Sequence, residues 1–135
     1  MEIKAKFLGD CKFKVISGAH EILCDQPRDN GGDDAGMSPP EFLLASLATC
    51  AGYYASQYLK TRGLATEGLE VRVVAEKAKQ PARLGRFVIE VIAPGLDERH
   101  QAAILRAVKS CLVHNTLLER PSIEVIIHAA AEIAA

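Results

Sequence analysis

The side chains in this chain best suited to chemistry are thiols and imidazoles. There are four cysteines, Cys11, Cys24, Cys50 and Cys111, and four histidines, His20, His100, His114 and His128. A thiolate is both a nucleophile and a metal ligand. Cys111 and His114 stand three apart, but no Cys-x-x-Cys pair accompanies them, and His100 and His128 have no spacing that would complete the four ligands of a structural zinc. No metal and no resident cofactor are therefore expected. Gly31-Gly32 lacks the lysine and the strand-to-helix context of a phosphate loop. A Gly-x-Ser-x-Gly nucleophile elbow is also missing. Glu41 and Glu119 are lone carboxylates. That leaves Cys50 and Cys111, both on segments of helical pattern. Two readings fit them: small hydrophobes packed in a core, or a redox pair in which one thiolate attacks an oxidant and the other resolves the sulfenic acid. Periodicity alone does not separate the two.

The elements that must position these thiols follow from pattern. Residues 3–25 alternate polar and apolar with turns at Gly9-Asp10 and Ser17-Gly18, which predicts three short antiparallel strands. Residues 25–37 are rich in turn formers and acidic residues; a loop of this length in a small domain is functional or mobile. Ser38-Pro39-Pro40-Glu41 is a helix start, and the helix should run to about Arg62, with Gly63 just past its end. Its first half, from Phe42 to Ala51, is apolar or small all round, which predicts burial on every side and a partner subunit to cover the second one. Leu69–Lys77 and Arg86–Ile92 read as strands joined by a hairpin loop over residues 80–85. Asp97 should cap a second helix running to about Val113, and Pro121 should introduce a last strand, Ser122–His128. Strands, long helix, two strands, helix, strand make an α+β fold in a single domain over residues 1–135.

Bulk properties narrow the function classes. A chain of 135 residues suits one domain, and size scaling gives it a folded surface of roughly 6,900 Å². Sixteen Lys plus Arg against seventeen Asp plus Glu leave a net charge of -1, without the basic excess of a nucleic-acid binder. The longest apolar stretch, Phe42–Leu47, is far too short for a membrane span, and the N-terminus lacks the apolar core of a signal peptide. A cytoplasmic location is expected, and there the cysteines are unlikely to form a static disulfide framework. Cys11 and Cys24 read as packing residues on strands.

The segment Ser38-Pro39-Pro40-Glu41-Phe42-Leu43-Leu44-Ala45-Ser46-Leu47-Ala48-Thr49-Cys50 resembles the central-helix motif of the OsmC/Ohr family, of the form Pro-x-Glu-Leu-Leu-Leu-Ala-Ala-Leu-x-x-Cys. Cys111-Leu112-Val113-His114-Asn115-Thr116-Leu117 is similar to the family's later motif, often Cys-Pro-Val-x-x-Thr-Leu. The order of elements resembles the family's as well, so the likeness spans nearly the whole chain. It implies an OsmC-like fold, with antiparallel sheets around a long buried central helix, in an intertwined homodimer with active sites at the subunit interface. It implies reduction of organic hydroperoxides, with Cys50 as peroxidatic thiolate, Cys111 as resolving thiol, and an external dithiol, such as a lipoylated protein, as reductant. Family hydroperoxide reductases support the thiolate with an N-terminal-loop Arg held by a Glu near the helix start. Here no Arg precedes Arg28, which is the candidate substitute. Glu41 lies nine residues before Cys50, about 13.5 Å along a straight helix, so it caps the helix or orients a loop residue instead of touching the thiol. His114 is a further candidate for charge beside a thiolate, or an interface residue. Two other functions fit the same residues: a non-catalytic member binding an apolar ligand at the interface, and a thiol redox sensor.

Overall fold

The computed structural model describes residues 1–129. Strands β1 (Lys4–Gly9), β2 (Lys12–Ser17) and β3 (His20–Cys24) form an antiparallel sheet in that order. Helix α1 (Pro39–Thr61) follows the long loop, and β4 (Glu70–Ala78) then pairs with β5 (Arg83–Ile92) as a second antiparallel sheet. Helices α2 (Glu98–Lys109) and α3 (Leu112–Leu118) complete the α+β architecture.

The core is the seam where α1 meets the second sheet and α2. Ala51, Ala55, Tyr58 and Leu59 of α1 pack with Ile104 and Val108 of α2, and Val71, Ile89 and Val91 press on this cluster from the sheet. The strands alternate as period two requires: Val71, Val73 and Ala75 point inward, while Arg72, Val74 and Glu76 point out. On the outer face Arg72 pairs with Glu90 at 3.2 Å and Arg86 with Glu76 at 3.0 Å. These exposed pairs contribute little to stability. At the far end of α1, Tyr58 Oη lies 2.9 Å from His100 Nδ1 and Arg62 stacks over the Tyr58 ring, tying α1 to α2.

Two expectations need correction. The second helix was expected to reach Val113, but α2 stops at Lys109 and a separate short helix begins at Leu112. The Ser110 hydroxyl donates back to the Arg106 carbonyl, and Cys111 leaves helical backbone geometry. Cys111 is thus an N-cap and not an interior helical residue. Second, residues 122–128 form no strand within the chain. Their alternation is real, yet Ile123, Val125 and Ile127 are about four-fifths exposed because no strand among the described residues lies beside them. Along α1, Leu47, Ala51, Ala55, Tyr58 and Leu59 make a buried stripe, and Thr49 and Tyr53 are exposed in the single chain. The whole chain presents 10410 Å² of surface, half as much again as the roughly 6,900 Å² of a compact globule of its mass.

The loop of residues 25–37 is wound around one buried carboxylate. Asp25 accepts hydrogen bonds from the backbone N–H groups of Gln26 (2.8 Å), Asp33 (3.1 Å) and Ala35 (3.0 Å). Lys12 stands 3.8 Å from the same carboxylate and also pairs with Asp33. The Asp25 N–H in turn donates to the Met37 carbonyl, closing the loop at its base. Gly32 and Gly36 are required here, since a Cβ at either would overlap the carbonyl of Gln26 or Leu23. Three backbone donors outweigh burial and hold the Asp25 carboxyl below its usual range, with Lys12 assisting. A lowered folded-state pKa contributes stability that is present above the unfolded value, about 3.9, and is lost as pH falls through the folded one. Chemical denaturation across the acid range should therefore show stability falling below about pH 4. In Asp25→Asn the protein should be less stable at neutral pH and that acid limb should flatten.

Candidate active site

Helix α1 carries the first thiol. Pro39 and Pro40 occupy its first turn, where their missing N–H groups cost nothing. Glu41 accepts both the Ser38 N–H (3.1 Å) and the Ser38 hydroxyl (2.8 Å), and these bonds lower its pKa. From that fixed start, Leu43, Leu47 and Cys50 fall along one face. The hydroxyls of Ser46 and Thr49 donate to carbonyls of their own helix, Leu43 and Ala45, at 2.8 Å each.

The break between α2 and α3 delivers the second thiol. Cys111 is fully buried, and its N–H donates to the Val108 carbonyl, the last turn of α2. Its sulfur accepts the N–H of His114 at 3.5 Å as the N-cap of α3. Cys50 and Cys111 are joined as a disulfide, with Cα atoms 5.9 Å apart across a sequence separation of 61. That spacing lies in the usual range for such bonds. Cys11 and Cys24 are free. The Cys11 thiol donates to the Gly31 carbonyl at 3.4 Å, and burial together with the Asp25 charge pushes the Cys24 thiol pKa up.

Of the residues singled out from sequence, the structure brings together Cys50 and Cys111 and leaves the other two apart. Arg28 sits in a 3-10 turn (Arg28–Asn30), exposed, with no ion pair among the described residues. Glu41 is taken up by the Ser38 cap. No side chain among the described residues hydrogen-bonds to either sulfur of the disulfide. An open groove of about 1230 Å³ runs between β5 and α2, with Leu43 and Leu47 of α1 and His114 of α3 also in its lining; neither Cys50 nor Cys111 lines it. Its floor is mainly aliphatic, and Arg83, Arg86 and Lys109 supply its charges. No group of three or more potential metal ligands occurs among the described residues. No described helix is long and apolar enough to cross a membrane.

One residue of consequence escaped the sequence reading, and another was noticed without its structural setting. Asp25 organises the loop leading to α1, and its only signal is a carboxylate at the end of a strand before a glycine-rich turn. His114 was noticed, but its placement at the third position of a new helix depends on the break at Ser110, which periodicity concealed.

A family model described as OsmC-like protein matches residues 31–126, well over half of the chain. Among solved structures, the chain is similar to a Psychrobacter arcticus protein whose name assigns it provisionally to osmotic stress induction and detoxification. The two are 25% identical with a TM-score of 0.76, over 84% of this chain and 85% of that one. It also resembles an OsmC-like protein from Mycoplasma pneumoniae (23% identical, TM-score 0.69, 87% and 86% covered). An organic hydroperoxide resistance protein from Elizabethkingia anophelis shares the fold (20% identical, TM-score 0.58, 85% and 86% covered). No curated protein matches the chain.

The covalent link itself has a measurable consequence. In the chain-entropy description, a cross-link closing a loop of this length removes about 4 kcal/mol of freedom from the unfolded chain. Denaturation of the oxidised and the dithiothreitol-reduced protein should differ by up to about that amount. Peptide mapping should assign the lost pair of hydrogens to Cys50 and Cys111, leaving Cys11 and Cys24 alkylatable after unfolding.

Proposed function

The chain belongs to the OsmC-like family, and from that premise we propose that it is a thiol-dependent peroxidase reducing organic hydroperoxides through Cys50 and Cys111. The observation that carries this reading is the juxtaposition of two cysteines 61 residues apart in sequence, one on α1 and one at the start of α3. In the first step the Cys50 thiolate attacks the terminal oxygen of ROOH. The S–O bond forms, the O–O bond breaks, and the alkoxide leaves as ROH after taking up a proton. In the second, Cys111 sulfur attacks Cys50 sulfur, the S–O bond breaks, and water departs. An external dithiol, with a lipoylated protein as the candidate, then opens the disulfide by two exchange steps and is itself oxidised. No resident cofactor enters this cycle. The aliphatic groove favours an organic over an inorganic peroxide.

The chain functions in this reading as a homodimer. The excess surface, the exposed Phe7, Leu8 and Ile22 on the first sheet, and the unpaired apolar residues 123–127 all support a second copy as their cover. A groove of about 1230 Å³ is wider than most small-molecule sites and fits one whose second wall comes from a partner. A thiolate among apolar groups needs a cation to offset desolvation. Arg28, exposed and without an ion pair, is the candidate, from the same chain or the other. The cytoplasm, where thiols are kept reduced between turnovers, is the compartment that suits this chemistry. Neither nucleic acid nor membrane has a place in it.

The groove also favours a second reading, in which it binds an apolar ligand and the cysteines do no chemistry. Turnover separates the two. With cumene hydroperoxide and a dithiol, the native protein should turn over and Cys50→Ser should lose essentially all activity. Cys111→Ser should consume about one equivalent and stop at a dimedone-trappable sulfenate on Cys50. Disulfide formation without turnover would instead indicate a redox sensor, and unchanged thiols would indicate the ligand-binding role.

A further inference from the structure

One buried polar atom has no use in the cycle above. The imidazole Nδ1 of His114 is buried and makes no hydrogen bond among the described residues. Buried nitrogens are nearly always paired, so an orphan calls for a partner that another state of the protein supplies. The structure holds Cys111 as a disulfide, which has no S–H to offer. His114 stands three residues after Cys111, and its main-chain N–H contacts the Cys111 sulfur at 3.5 Å, so its imidazole belongs to the residue that caps onto the resolving thiol. The residue also lines the groove with Leu43 and Leu47, the α1 residues on the Cys50 face.

Resting on the peroxidase reading and deepening it, we infer that His114 is the positioning residue of the resolving thiol, its Nδ1 accepting the Cys111 proton in the reduced protein. The steps balance. Cys111–SH passes its proton to Nδ1; the thiolate attacks the Cys50 sulfur of the sulfenic acid; the S–S bond forms and the S–O bond breaks. The departing hydroxide takes the proton from Nδ1 and leaves as water, returning the imidazole to its neutral form. When the external dithiol attacks the Cys50 sulfur, Cys111 is the leaving thiolate, and its proton comes back by the same nitrogen. Histidine is the side chain type suited to this exchange near neutral pH. The charged groups that share its groove are Arg83 and Arg86 of β5 and Lys109 of α2, all cations; α1 contributes only leucines there.

The test follows iodoacetamide alkylation of the Cys111 peptide in reduced full-length protein from about pH 6 to about pH 10, a window spanning ordinary imidazole and thiol titration. Native protein is compared with His114→Asn and His114→Gln, and the Cys11 peptide serves as internal control. Alkylation of Cys111 near pH 7 should slow about tenfold in both variants and converge with native at the alkaline end, where every thiol is ionised. Cys111 rates within about twofold of native at all pH values would overturn the proposal, as would unchanged rates accompanied by a changed oligomeric state, which assigns His114 to the interface. If neither variant folds, the native profile decides, since a single thiol titration with no lower inflection overturns it as well. After one equivalent of cumene hydroperoxide, the Cys50 sulfenate should persist about tenfold longer in His114→Asn while its formation is unchanged. Should native protein consume no hydroperoxide, the peroxidase reading fails, and the alkylation rates still decide the role of His114.

Discussion

The close approach of α1 and α2 is the constraint on which the rest of the structure depends. It rests on side-chain size: Ala51 and Ala55 offer almost no bulk where Ile104 and Val108 fill the seam. Helix axes separated by small residues come nearer than those separated by leucines. Only then can the N-cap sulfur of α3 lie against the middle of α1, with 5.9 Å between the two Cα atoms. Larger residues at 51 or 55 would push α2 outward and carry Cys111 with it. The same seam carries the hydrophobic contacts of the second sheet, so the chemistry and the core share one support.

A second dependence runs through the loop before α1. A segment of 13 residues rich in glycine and acid side chains resembles a flexible connector in composition. Its conformation is instead fixed by Asp25, whose buried carboxylate gathers three N–H groups and the Lys12 ammonium. The loop ends at Ser38, where Glu41 anchors the first turn of the helix. The two carboxylates therefore do related work: each gathers main-chain donors that would otherwise lack partners, and together they lock the entry of the helix that presents Cys50. Glu41 engages one carboxylate oxygen, Oε1, in that cap.

Apolar surface is exposed in two places. Strand β1 is exposed along nearly its whole length, and among the described residues no strand lies beside the apolar residues of 123–127. Both segments alternate as half-buried strands do, and both are exposed in the single chain.

Much of this was legible in residue order. The three N-terminal strands, the capped start of α1 at Ser38, its end before Gly63, the β4–β5 pair and the Asp97 cap all follow from local rules, because turns, caps and alternation act over a few residues. The two cysteine motifs pointed to the family for the same reason: each is a short continuous string. What the sequence could not decide was long-range or exceptional. Periodicity ran the second helix through Cys111, since the apolar spacing continues there, and only the backbone break at Ser110 turned that residue into a cap. The burial of Asp25 depends on donors eight and ten residues away in a folded loop, and the alternating residues 122–128 pair with no strand among the described residues. Local sequence places most residues in their elements; the pairing of Cys50 with Cys111 and the orphaned nitrogen of His114 exist only once those elements are packed, because contact across 61 residues is a property of the fold.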